Sequence, residues 1–229
     1  MNDYGCHNVE RENCSPAFKA GMKKFVRQRQ KNFYSMRVKS SGGEFTTAQL
    51  GAIQTLTETF GAGKIRLTSR QEISVPFIDE KNLVDAENFC AAHDLQICAV
   101  GATLKTVTAC QGCKICRSGI IDAPKIAREI ERRHGGEILP AKFLIGVTGC
   151  PNNCMKVEAN DIGIKGAGGY KIYFCGEELL PVVRDEETLY KIVDATLKFF
   201  GEHANKGERL KNLLARIGNE EFMRNISPE

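Results

Sequence analysis

No stretch of this 229-residue chain offers the roughly eighteen consecutive apolar residues that a membrane-spanning helix needs, so no membrane span is expected. The opening residues, MNDYGCHNVEREN, are polar and charged and contain no secretory apolar core. A cytoplasmic protein is the expectation. Charge of either sign is not in large excess. With 32 Lys and Arg against 28 Asp and Glu, the net charge is +4, too weak to argue for a nucleic-acid partner. It suits a small polyanionic ligand if the cations converge. No Gly-x-Gly-x-x-Gly follows a strand-like run, so no nicotinamide or flavin pyrophosphate site is expected. Internal repeats and low-complexity linkers are also missing.

What remains is an ordinary folded composition, 42% hydrophobic and 26% charged, in a chain long enough to bury a core in one or two domains. Against it stand ten cysteines. Disulfides are rare in the cytosol, so metal ligation or plain burial is the expected use. Cys90, Cys98 and Cys175 lie among apolar residues and read as buried thiols. Cys6 and Cys14 have no tight ligand spacing. The middle group does: Cys110, Cys113 and Cys116 in TACQGCKICRSG, then Cys150 and Cys154 in VTGCPNNCMKVE.

Residues 1–14 read as a polar leader. Ser15-Pro16 reads as an N-cap with proline at the first helical position, opening a basic helix to about Lys31. Then come a strand at Tyr34–Lys39, a Gly42-Gly43 turn, and a helix opened by a capping box at Thr46–Gln49 and ended by Gly61. Strands at Lys64–Thr68 and Glu72–Ile78 follow, and Asp79 caps a helix. In the second half, Thr103–Ala109 and Phe143–Val147 read as strands that deliver the chain into the two cysteine loops. A helix starts at Asp122-Ala123-Pro124. Further strands are expected at Ile162–Ile164 and Tyr170–Phe174, a strong helix after Asp185, and one last helix after Gly207.

Two strand ends can bring four thiolates together, the usual cradle of an iron–sulfur cluster. Pro151 stiffens the second loop, and Gly149 admits a close backbone approach. Structural zinc is the competing reading, because Cys110 and Cys113 form a C-x2-C pair and tetrahedral zinc takes four such ligands. Spacing alone does not decide which of Cys110, Cys113 and Cys116 take part.

Here a resemblance becomes specific. TAC-x5-C, TGCPNNC and the following DIGIKG resemble the siroheme-containing sulfite and nitrite reductase family. So do KIRLTSRQEISVPFI, FYSMRVKSSGGEFTTAQL and ILPAKFLIGVTGC, in the family's order, over about residues 33 to 175. The fold implied is α+β: a leader and helix at 1–32, a ferredoxin-like half-domain at 33–100, and a siroheme and 4Fe–4S cluster domain at 101–229. The resemblance makes Cys110, Cys116, Cys150 and Cys154 the cluster ligands, with Cys154 bridging to siroheme iron and Cys113 a bystander. Asn152 would contact siroheme. Arg37, Arg70 and Lys142 would meet the substrate and the siroheme carboxylates, with Lys39 beside Arg37 on one strand face.

The implied reaction is six-electron reduction of sulfite to sulfide, or of nitrite to ammonia. Electrons would come from a ferredoxin or a reductase subunit. An iron–sulfur electron-transfer protein without siroheme is the alternative. His7, His93, His134 and His203 all lie outside the motifs, and a thiolate-bridged siroheme requires no axial histidine. The family's second lysine is Leu144 here; Lys114 is a candidate to compensate. The chain holds one copy of each half where longer members of the family it resembles hold two; a homodimer would restore the two-fold arrangement, and a compact monomer is the alternative.

Overall fold

The computed structural model describes residues 24–227. The expected leader, Cys6, Cys14, His7 and the helix start at Ser15-Pro16 lie outside the described residues. The basic helix expected to reach Lys31 is corrected in its described part: Phe25–Arg27 is a strand (β1). Its burial alternates, with Phe25 inside the sheet core, and pairing with the next strand overrides the local preference.

β1 begins a four-stranded antiparallel sheet with β2 (Phe33–Val38), β3 (Arg66–Leu67) and β4 (Ile73–Asp79), in the order β1-β2-β4-β3. Helix α1 (Thr47–Thr59) and helix α2 (Leu83–Ala92) supply Ile53, Leu56, Ala86 and Cys90 to its core. The Thr46 hydroxyl accepts from the Gln49 amide at 3.1 Å, and the Gln49 side chain accepts from the Thr46 amide at 3.0 Å. This reciprocal cap satisfies two donors that helix geometry leaves orphaned. Thr46→Ala is therefore expected to lower stability by about 1 kcal/mol, read as a shift in the urea midpoint at unchanged slope. A loss below a few tenths would assign the helix start to packing alone.

The second sheet runs β5 (Thr108–Ala109), β6 (Ile145–Thr148), β7 (Ile162–Gly166) and β8 (Tyr170–Phe174). β5, β6 and β7 pair in parallel; β8 returns antiparallel. Every residue of β6 is buried, as expected of a parallel strand covered on both faces. The helices α3 (Ala123–His134), α4 (Glu186–His203), α5 (Leu210–Ile217) and α6 (Asn219–Ile226) complete a larger core that holds Phe143, Phe174, Phe200 and Phe222. Asp122 and Asp185 cap α3 and α4 through the Lys125 and Thr188 amides. Two expectations are corrected. The chain after Gly207 holds two helices, because Gly218 at φ 87° turns the backbone between them. The strand expected over Thr103–Ala109 shortens to its last two residues, preceded only by single bridges from Thr103 to Ile138 and from Leu104 to Phe143.

The two cysteine loops leave the carboxyl ends of β5 and β6, which are neighbours in parallel register. That end of a parallel sheet is where ligands collect, since the chain must leave each strand there and the loops converge.

Candidate functional site

Cys110, Cys116, Cys150 and Cys154 line one cavity of about 480 Å³, together with Asn152 and Gln71. Cys113 is exposed and does not line it. Gly149 joins the loops through both its amide and its carbonyl. The Gly149 amide donates to Cys110 Sγ at 3.0 Å, and the Gly149 carbonyl accepts from the Ile120 and Ile121 amides at 2.8 and 3.2 Å. A side chain at Gly149 would press on Gly112 Cα at 3.1 Å and on Cys110 Sγ at 3.4 Å, so only glycine lets the loops close this far. Beside it, the Thr148 hydroxyl is buried without a hydrogen-bond partner among the described residues.

This donor set fits an iron–sulfur cluster better than zinc. Among the described residues no three His, Cys, Asp or Glu side chains are close enough to share a single ion. A zinc site needs its ligands around one point. A four-iron cluster takes each thiolate on a different iron, so its ligands stand around a cavity, as these four do.

The cations lie to one side. Arg37 pairs with buried Glu72 at 3.5 Å, and Lys39 pairs with buried Glu131 at 3.3 Å. Glu72 also accepts from the Thr106 and Thr68 hydroxyls at 2.7 and 3.2 Å. Lys142 is exposed between buried Ala141 and Phe143, with no ion pair among the described residues. Lys105, which sequence reasoning passed over, donates to the Ala99 carbonyl and the Thr103 hydroxyl. Burial lowers its pKa, and the like charges of Arg37 and Lys142 add to that while Glu72 opposes it. Lys105 thus belongs to the same cationic cluster.

Lys39, Lys105 and Glu131 line a second cavity. Lys39 also lines a third, which meets the cysteine cavity at Glu44. Thiols thus line one of the three, and ammonium groups line the other two.

Arg70 is placed differently from the expectation. Its guanidinium donates to the Thr106 carbonyl from Nε and Nη2, to the Ile145 carbonyl at 2.7 Å, and to Asn160 Oδ1 at 2.9 Å. Burial pushes its pKa down against Glu72, Asp161 and Glu131. Like Arg37 and Lys142, it lines none of the three cavities, and it ties the two sheets together. Its neighbour Gln71 is in the cysteine cavity, exchanging two hydrogen bonds with the Ala109 backbone at 2.7 and 2.9 Å. Lys114 forms an ion pair with Asp122 at 2.9 Å and does not line the cavity, so it does not stand in for the missing lysine. Leu144 is half-buried, and its amide is held by Asp161 at 2.8 Å. Cys90 and Cys98 are buried thiols whose pKa burial pushes up to about 12; Cys175 is half-buried.

Two family models match in succession. The nitrite/sulfite reductase ferredoxin-like half domain covers residues 26–93, and the nitrite and sulphite reductase 4Fe-4S domain covers residues 100–229. The chain belongs to the nitrite and sulphite reductase family. Siroheme and a 4Fe–4S cluster are its cofactors. A Bacillus subtilis NAD(P)H nitrite reductase is 27% identical over 197 residues, which is 81% of this chain and 24% of that protein. One subunit of the anaerobic sulfite reductase of Salmonella typhimurium is 29% identical over 147 residues, 56% of this chain and 42% of that subunit. Among solved structures, dissimilatory sulfite reductase I superposes with a TM-score of 0.78 at 15% identity, over 86% of this chain and 70% of that one. NirA of Mycobacterium tuberculosis gives 0.75 at 19% identity, over 84% and 39%. At these identities the structures establish a shared α+β fold. The chain spans under a quarter of the length of the Bacillus relative.

Proposed function

We propose that the protein reduces sulfite to sulfide with electrons from a separate protein. The observation that carries this reading is the convergence of Cys110, Cys116, Cys150 and Cys154 on one cavity. In this reading those four thiolates would hold the cluster, and Cys154 and Asn152, in the same cavity, would face the siroheme, which would supply the reducing metal chemistry.

The chain's own residues do three things. Arg37, Lys39, Lys105 and Lys142 gather negative charge from a planar oxyanion and from siroheme carboxylates. Glu72 and Glu131 fix the direction of Arg37 and Lys39, so little reorganisation is needed when charge develops. The ammonium groups offer protons as oxygen leaves as water. Arg70 acts at a distance, by holding the turn that carries Gln71.

Nitrite is the second substrate to test, because nitrite reductases of Bacillus subtilis and Escherichia coli are among the relatives. Sulfite is placed first because the chain spans a larger share of the sulfite reductase subunit than of those enzymes. Protein prepared without oxygen is expected to show a Soret band and a red band, and to turn over sulfite faster than nitrite with a reduced dye. A zinc-loaded, colourless protein would sink the reading. A cluster shoulder without a Soret band would leave an electron-transfer protein.

A further inference from the structure

We propose that Glu131 is a positioning residue for proton delivery, holding the proton that resupplies Lys39 while oxygen leaves a bound oxyanion. The inference rests on the reductase reading above.

Glu131 faces inward from α3 and is 9% exposed. One oxygen accepts from the Val107 amide at 2.8 Å; the other lies 3.3 Å from Lys39 Nζ. The charged groups that reach it are Lys39, just after β2, and Arg70 from the turn before β4. Lys105 lines the same cavity. Burial raises its pKa despite those cations and the amide. Burial thus favours its acid form more than it would for an exposed carboxyl.

Glu72 is the instructive contrast. Two hydroxyls and Arg37 occupy its oxygens, and it lines none of the three cavities. Glu131 instead borders a cavity of about 340 Å³ that Lys24 and Glu87 also line, and those two are ion-paired and partly exposed. Lys39 lines that cavity and the next one toward the thiols. Solvent, carboxyl, ammonium and the next cavity thus follow one another in space.

The proton step balances without moving electrons. The Lys39 ammonium gives a proton to the departing oxygen. The Glu131 carboxyl gives its proton to the Lys39 amine and becomes carboxylate. Bulk water reached through the cavity restores the acid. Because the Glu131 pKa is raised, the held proton is present below that pKa and lost as pH rises through it, so the rate falls on that limb.

The test uses the cofactor-loaded protein, reduced dye and sulfite. Glu131→Gln keeps an oxygen for the Val107 amide. It is expected to lower kcat by roughly tenfold or more, leave KM for sulfite nearly unchanged, and remove the alkaline limb, with Glu131→Asp restoring part of it. Independently of turnover, adding sulfite to the oxidised protein should shift an infrared carboxylic-acid band that is missing in Glu131→Gln. Wild-type kcat and pH profile in Glu131→Gln would overturn the proposal. So would the absence of any protonated-carboxyl band in the wild type, a result that does not depend on the variant folding. A wild type that reduces neither anion sinks the reductase reading and the relay with it; an active wild type matched by Glu131→Gln sinks the relay alone.

Discussion

Arg70→Leu should destabilise the protein by about 3–5 kcal/mol, the scale of breaking a buried charge network from one side. The leucine strands the Thr106 and Ile145 carbonyls and Asn160 Oδ1, each now taken by the guanidinium. It also withdraws the positive charge that Glu72, Asp161 and Glu131 share. Arg70→Lys should recover only a fraction, because an ammonium on one stem cannot reach three acceptors with a fixed fork. Urea unfolding followed by circular dichroism measures both. A leucine variant within 1 kcal/mol of wild type would show that the tie between the sheets is made by packing and that Arg70 is dispensable there.

Cys110→Ser should abolish cluster loading and lower turnover at least about a hundredfold, the scale at which removing a group that acts in the chemistry is felt. Cys113→Ser, three residues on, should stay within a factor of two or so, since that thiol is exposed and off the cavity. Iron content, sulfide content and the visible spectrum separate the two. Equal loss of iron in both variants would contradict the ligand assignment and reopen the C-x2-C pair. The serine at 110 would also lose the sulfur that accepts from the Gly149 amide, so its second loop should loosen even before iron is added.

These two results differ in how visible their causes are in the chain. The cysteine loops are legible because cluster ligands come in short local runs, and a strand before each run is enough to place them. The caps at Thr46, Asp122 and Asp185 are legible for the same reason, since a cap and its amide are at most three residues apart. Arg70 is not legible. Its partners lie 36, 75 and 90 residues further on, and a motif cannot say whether its arginine faces a ligand or its own backbone. Lys105 and Glu131 were missed for a related reason. On sequence, Glu131 is one more charge on a helix rich in Glu and Arg, and only its 9% exposure and its amide from Val107 distinguish it. Phe25–Arg27 shows the opposite failure, a basic segment whose strand state depends on β2 being present to pair with it.

The parallel pairing of β5 with β6 also dictates when the protein can receive its cluster. Thr108 meets Gly146 only after the intervening helix α3 has closed the crossover, and such non-local pairing is slow compared with helix formation. The core that holds these strands is completed later still, by aromatic residues of α4 and α6 as far along as Phe222. During synthesis, all four thiols therefore emerge while their scaffold is still unfinished. Loading belongs after that core has closed around β5 and β6.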